Sequence, residues 1–411
     1  MEAIMKKIRV GHLGLGNRGR CMLQTAIRCF ENVEIVAVCD PIIERAEEGV
    51  EIVRVISGYE PAMYLNSDEI IARDDIDVIM IYTSWEAHVD LAIQAMRAGK
   101  KVAMEVGGAY SLHDCHRLLD AYHETGIQVM MLENACYNTT ELAVLRMVRE
   151  GLLGEIVHCE GGYMHDLRDE VAGGNINKHY RLRNYLNRNC ENYPTHEFGP
   201  IAKVLNINRG NRMMTLSSFA SKARGMKEYV SANAETYPEL VGRDFAQGDI
   251  ITTVITCADG ATIVLNLDTT LPRTYSRKFT VRGTKGSFYE DMNSVYIDEP
   301  GAHERDPKTY WDSAKEYIEK YKHPLWDKYF NIAKTSGHDG VDFMVLGAFF
   351  ESVEKDAIPP IDIYDTVTWM AITPLSEKSI ALGGAPVEVP DFTGGKWILP
   401  REKCELEFSL D

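Results

Sequence analysis

The 411-residue chain is 45% hydrophobic and 26% charged, an ordinary globular composition long enough for two domains. Its net charge of −17 excludes nucleic acid and anionic membrane surfaces as partners, yet leaves room for a phosphate-bearing cofactor held by a few local amides. The nine cysteines form no CxxC pair, which excludes a disulfide framework or zinc site; no run reaches transmembrane length, and residues 1–8 lack an apolar leader core, so a cytoplasmic protein is expected.

Ile8–Leu13 reads as a short apolar strand. Gly14-Leu-Gly16-Asn17-Arg18-Gly19 follows it, then a helix from about Arg20 to Phe30, then a strand Val33–Cys39 ending in Asp40. Strand, glycine turn, helix, strand and acid make the dinucleotide fingerprint in its required context. The glycines allow close approach to a pyrophosphate, and the helix N-terminus meets its charge. Asp40 would accept from the adenosine ribose hydroxyls and repel a 2′-phosphate, favouring NAD over NADP; the competing reading of Asp40 is a cap ahead of Pro41.

The alternation continues with a strand Asp77–Tyr82, a loop Thr83–His88 and a helix Val89–Ala98. A strand Lys101–Glu105, a helix Ser111–Thr125 and a strand Val129–Leu132 complete it. This predicts a doubly wound parallel sheet, with Asp40, Thr83–His88, Glu105-Val106 and Glu133-Asn134 at strand ends facing one crevice. A nucleotide domain is therefore expected over residues 1–134.

Residues 135–411 are expected to form a second, α+β domain whose C-terminal helices pack back on the first. Leu142–Glu150 reads as a helix and Glu155–Tyr163 as a long strand. Residues 169–192 read as an irregular basic loop (Arg181, Arg183, Arg188) able to close over a ligand. Tyr193-Pro-Thr-His196 then precedes an apolar helical run, with Thr195 as its cap and Pro200 in its first turn. A phenol and an imidazole at a helix entrance suit proton transfer to a ligand hydroxyl, although either residue could be merely structural. Segments near 213–221, 249–258, 261–268, 277–283 and 286–290 predict an open, mostly antiparallel sheet. Residues 222–247 and 291–335 read as excursions, and helices near 340–354 and 364–382 end the fold. His12 reads as a satisfied interior residue, and His113, His116 and His123 as a solvated helix face, so no metal site is expected.

A parallel nucleotide domain followed by an open antiparallel sheet resembles the glucose-fructose oxidoreductase/inositol dehydrogenase/rhizopine catabolism (Gfo/Idh/MocA) superfamily. Its dehydrogenases usually carry Glu-Lys-Pro after the fifth strand, where this chain has Glu105-Val106-Gly107. Within that superfamily the chain is most similar to glycoside hydrolase family 109, the NAD-dependent N-acetylgalactosaminidases. The similarity is carried by Gly16-Asn-Arg-Gly19, Trp85-Glu-Ala-His88, Glu105-Val106, Glu133-Asn134 and Tyr137, then by Glu155–His158, Tyr163–Arg168, Tyr193–His196, Asn206–Gly210 and Pro272–Arg277.

The resemblance implies NAD contacts from Gly14, Gly16, Asn17, Arg18, Asp40, Thr83, Trp85, His88, Glu105, Val106, Asn134 and Tyr193. It implies sugar contacts from Glu133, Tyr163, Arg181, Tyr193, His196 and Tyr275, of which His196, Tyr163, Tyr193 and Tyr275 would be catalytic. It also implies transient C3 oxidation, elimination across C1–C2, water addition and re-reduction, in place of the two flanking carboxylates of ordinary glycosidases. His196 would work at the C3 hydroxyl and Tyr163 at C2, while Arg181 orients the sugar. The chain departs from the family at Glu197, where a small Gly is usual, at Tyr180-Arg181, where Trp-Arg is usual, at Cys190–Asn192 and at Asn138. The alternative is a net NAD-dependent sugar or polyol dehydrogenase; a non-catalytic sugar sensor would have no need to keep these proton carriers. A homo-oligomer joined through the C-terminal sheet is expected.

Overall fold

The computed structural model describes residues 7–400 and 404–411; the N-terminal stretch read above as leaderless lies, over residues 1–6, outside the described residues. The first part runs β1 (Ile8–Leu13), α1 (Asn17–Cys29), β2 (Val33–Cys39), α2 (Ile43–Ser57), β3 (Ala62–Tyr64), α3 (Ser67–Ile71), β4 (Val78–Ile81), α4 (Trp85–Arg97), β5 (Lys101–Met104), α5 (Leu112–Thr125) and β6 (Val129–Met131). Its strands pair in parallel in the order β3-β2-β1-β4-β5-β6. Helices cover both faces, so β4 is apolar and buried at every position, Val-Ile-Met-Ile. The strand order reverses between β1 and β4, and ligand crevices open beyond the carboxyl ends of strands at such a point.

After a short turn at Asn134–Tyr137 come α6 (Thr139–Arg149), β7 (Ile156–Met164), α7 (Arg168–Ala172), α8 (Arg181–Asn187), α9 (Pro194–Val204), β8 (Met213–Ala220) and α10 (Gly225–Ala232). They are followed by β9 (Ile250–Cys257), β10 (Thr262–Asp268), β11 (Thr280–Gly283), β12 (Gly286–Tyr289), β13 (Ser294–Ile297), α11 (Ala314–Lys320) and α12 (Pro324–Ala333). The described chain closes with α13 (Val341–Glu354), α14 (Ile363–Met370), α15 (Ile372–Ala381) and β14 (Val387–Glu388). The second sheet has the order β13-β12-β11-β7-β10-β9-β8-β14, antiparallel except for the β7–β10 pair. Along β10 the period-two pattern is clear: Ile263, Leu265 and Leu267 are buried while Thr262, Val264 and Asn266 are half-buried. Helix α9 lies close on β7 because Gly161 has no side chain; a Cβ there would sit 2.5 Å from the Glu197 carbonyl oxygen. Helix α13 returns to the first sheet, and Phe343 and Phe350 meet Phe30, just past α1, at ring separations of 5.1 and 5.0 Å. No helix among the described residues is long and apolar enough to cross a membrane.

Several local expectations need correction. Helix α9 starts at Pro194 with Tyr193 as its cap residue, so Thr195 is not the cap, and Pro200 sits inside the helix. Burial of almost every α9 residue compensates the amide that Pro200 lacks. The run 364–382 is two helices, because Pro374 cannot donate to the carbonyl of Met370 and instead falls in the first turn of α15. Residues 169–192 are not irregular throughout: α7 and α8 form on either side of Gly173-Gly174. The 222–247 and 291–335 excursions contain α10, β13, α11 and α12. Trp85 and His88, expected in a loop, lie on α4. His12 is interior as expected and stacked on Tyr82 at 4.8 Å; burial lowers its pKa to about 4 and keeps it neutral, with backbone hydrogen bonding at Gly14 and Gly19 opposing.

Candidate active site

A cleft of ≈ 1200 Å³ runs from the glycine turn after β1 to the entrance of α9. At the first end Gly14 has φ +90°, and a Cβ there would stand 2.5 Å from the Tyr82 carbonyl oxygen; at Gly19 it would meet the Gly14 carbonyl oxygen at 2.0 Å. Gly16 lines the cleft with nothing within 4 Å of its missing Cβ, so the turn presents bare backbone to a ligand at the N-terminus of α1. Asp40 lines the cleft at the end of β2 and also braces the turn: Oδ2 accepts from the Leu15 amide at 2.8 Å and Oδ1 from the Ile42 amide at 2.9 Å. Both readings of Asp40, ligand acceptor and local cap, are thus compatible with one position. A bare-backbone cradle beside a buried acid fits a dinucleotide.

Asn17, Arg18, Thr83, Glu105, Val106 and Asn134 all line the cleft. Three of them form one network around Asp342 of α13. Arg18 donates from Nε to Glu105 at 2.8 Å and from Nη1 to Asp342 at 2.7 Å, and Asn134 donates to Asp342 at 2.9 Å. Burial alone would raise the Asp342 pKa, but hydrogen bonds from His338 and Arg18 outweigh it and hold the carboxyl well below the usual range. Trp85 and His88 stand behind the wall instead of lining it. His88 Nε2 lies 3.1 Å from the Thr83 carbonyl oxygen, and burial lowers its pKa to about 4, so a neutral imidazole supports the Thr83 loop. Trp85 packs against Gly107, where a Cβ would come within 2.4 Å of the indole.

At the other end Tyr163, Arg181, Tyr193 and His196 converge. The Tyr193 ring lies 4.5 Å from that of Tyr163 and 4.9 Å from that of His196. The Arg181 guanidinium lies 4.9 Å from the Tyr193 ring centre and 5.1 Å from that of Trp85. Its Nε pairs with Glu170 at 2.6 Å, while Nη1 is buried without a hydrogen-bond partner among the described residues. Burial raises the pKa of both phenols, with Arg181 opposing, so both are neutral acids at physiological pH. His196 Nδ1 lies 2.7 Å from Glu133 Oε1, and Glu133 is fully buried. Nδ1–H therefore donates to Glu133, and Nε2 is left for the cleft. Glu133, expected to meet the sugar, sits behind the imidazole as its orienting partner. Tyr275, expected with them, does not line the cleft: it is 55% exposed, its ring 5.2 Å from that of the cleft residue His165.

The sequence reading assigned no role to His165, Glu170, His338 or Asp342. His165 belongs to the quoted Tyr163–Arg168 stretch, and its Nδ1 lies 3.4 Å from the Tyr163 hydroxyl. Nothing local marks His338, which reaches the cleft from the polar region before α13, or Asp342, buried in the first turn of α13.

Comparison with known proteins agrees with both ends. Residues 8–133 match the oxidoreductase family, NAD-binding Rossmann fold, and residues 137–399 match the glycosyl hydrolase 109 C-terminal domain. The chain is 40% identical to a glycosyl hydrolase family 109 protein of Stenotrophomonas maltophilia, covering 95% of this chain and 90% of that one. It is 36% identical to an alpha-N-acetylgalactosaminidase of Tannerella forsythia, covering 95% and 87%. Among solved structures, a levoglucosan dehydrogenase in complex with NADH and levoglucosan is 20% identical, with a TM-score of 0.68 over 94% of this chain and all of that one; at that identity the likeness shows the fold. A Gfo/Idh/MocA-type nucleotide domain joined to this catalytic domain makes the chain a glycoside hydrolase, and it belongs to glycosyl hydrolase family 109.

Proposed function

We propose that the protein is a retaining glycosidase acting on an N-acetylgalactosaminide or related glycoside, with NAD held through the catalytic cycle and not consumed. The observation that carries this reading is the single cleft joining a dinucleotide cradle to a cluster of phenols, imidazole and guanidinium. Ordinary glycosidases instead flank the bond with two carboxylates. Bound NAD⁺ supplies a hydride acceptor for C3 of the sugar and, later in the cycle, the donor that reduces it again.

His196 Nε2 takes the proton of the C3 hydroxyl as that carbon is oxidised, and the Glu133 carboxylate stabilises the imidazolium through Nδ1. The C3 ketone acidifies the C2 hydrogen. Tyr163 works at C2: as its hydroxyl passes its proton to His165 Nδ1, 3.4 Å away, the phenolate oxygen takes the C2 proton, a C1–C2 double bond forms and the C1–O bond to the aglycone breaks. Tyr193 and Tyr275 assist these transfers, and the free edge of Arg181 orients the ring. Water then adds to C1 and a proton returns to C2, restoring the configuration. Nitrophenyl α- and β-glycosides, N-acetylgalactosaminides first, test the scheme. Nitrophenol released without net NADH, and lost in His196→Ala, is expected. NADH accumulating from free sugars with no glycoside cleaved would replace this reading with a net dehydrogenase.

A further inference from the structure

We propose that His338 is a cofactor-binding residue contributed by the second half of the chain, donating from Nε2 to the pyrophosphate of the dinucleotide. The inference rests on the NAD reading above and extends it to a residue outside the nucleotide fold. His338 lines the same cleft as Gly16, Asn17 and Arg18. It precedes α13 on a backbone that enters the left-handed region three times in succession, with φ of 49° at His338, 53° at Asp339 and 100° at Gly340. Two adjacent non-glycine residues rarely adopt that conformation, and such strain persists only where surrounding contacts enforce it.

The enforcing contact is Asp342, whose Oδ2 accepts from His338 Nδ1 at 2.9 Å and from Arg18 Nη1 at 2.7 Å; Arg18 Nη1 also stands 3.1 Å from His338 Nδ1, and the carboxylate between the two cations is what Nδ1–H donates to. With Nδ1–H committed to the carboxylate, Nε2 is the atom left to face a ligand, and no described residue bonds it. The side chain is 62% exposed on its cleft side, although its other edge is fixed.

Charge balance gives this ring a reason to be there. The groups facing it are Arg18 of α1, Glu105 after β5 and Asp342 of α13. Arg18 bonds both carboxylates, so its single positive charge is already outnumbered where two phosphates must bind. The His338 imidazolium restores neutrality and adds a directed donor beside the N-terminus of α1. Hydrogen bonding to Asp342 raises the imidazole pKa above its ordinary value against the opposing charge of Arg18, which favours the charged form of that donor.

The test is NADH titration, followed by fluorescence enhancement, of the full chain after exchange of any bound nucleotide. Wild type is compared with His338→Asn and with the exposed-site control His123→Gln. Asparagine tolerates the left-handed backbone, so the variant keeps the loop and loses only the reach of the ring. The expected result is about tenfold weaker NADH binding at pH 6.5 in His338→Asn, an unchanged melting temperature without nucleotide, and the same loss for ADP-ribose. Wild-type affinity should fall toward pH 8.5, while the variant stays flat. Binding in the variant within twofold of wild type, or a loss with NADH but none with ADP-ribose, would overturn the assignment and leave the NAD reading intact. Wild type failing to bind NADH at all would overturn both.

Discussion

Glu191 and Glu197 give the strongest test of how the site is held together. Glu191 is fully buried and Glu197 is 2% exposed, so neither carboxyl is solvated. The two carboxyls face each other, so a hydrogen bond between them requires a retained proton. Burial is the largest cause of the shift in both: it pushes Glu191 from 4.5 up to about 8 and raises Glu197 well above the usual carboxylate range. Between those limits the folded pair binds protons that the unfolded chain has released. The contribution to stability is therefore fully present below about pH 4.5 and is lost as pH rises toward 8 and beyond. At about 1.4 kcal/mol for each tenfold change in proton affinity, and allowing for water entry, the loss is on the order of 2–5 kcal/mol.

The perturbation is the double replacement Glu191→Gln and Glu197→Gln, which keeps size and removes both titrations. Urea unfolding, read by tryptophan fluorescence at pH 5.5, 7 and 8.5, gives the stability difference between wild type and variant at each pH. That difference should shift in the variant's favour by roughly 2 kcal/mol or more across the series. Glu197 adjoins His196 on α9, so ionising the pair should loosen that imidazole, and activity should fall on the alkaline side less steeply in the variant. A stability difference that stays constant with pH would refute the argument, because the pair would then not be holding protons.

Glu133→Gln should lower kcat by about 10- to 100-fold with little change in KM, because the amide can hold His196 in place but cannot stabilise its charged form; a larger change in KM than in kcat would show that Glu133 binds substrate instead. Arg45 of α2 donates to the Asn177 carbonyl oxygen at 2.6 Å, tying the loop between α7 and α8 across the cleft, so Arg45→Ala should speed release of bound NADH by about 3- to 10-fold in a stopped-flow chase. Gly107→Ala forces a side chain into the indole of Trp85 at a φ of +154°, and should cost about 1–3 kcal/mol in urea unfolding together with weaker nucleotide binding.

The parts of this site that are legible in the sequence are those whose physics is local. The glycine turn is one: Gly14 and Gly19 each answer a steric demand of nearby backbone, and Gly16 between them leaves the turn bare toward the cleft. The alternation of buried strands and amphipathic helices is another, and it places Asp40, Thr83 and Glu105 on one edge without any knowledge of their partners. Tyr193 and His196 are legible because they share a helix entrance. What escapes is long-range pairing. Arg18 reads as a ligand contact, yet it is held by Asp342, 324 residues away, and His338 reaches the same network over 320 residues. Glu133 escapes for the same reason: its strand end faces the crevice, but its carboxylate is taken by His196, 63 residues later. The two halves of the chain therefore meet through ion pairs and hydrogen bonds that sit directly under the cleft. The mechanism proposed above, in which one carbon is oxidised and reduced again, would require the sugar and the nicotinamide to stay in fixed relation through several steps. Domains joined only by a linker could not do that. The Arg18–Asp342–Asn134 tie and the Glu133–His196 pair each cross from the nucleotide half to the sugar half, so one network fixes both the cradle and the imidazole. Replacing Asp342 should then disturb cofactor binding and glycoside turnover together, although Asp342 itself is fully buried.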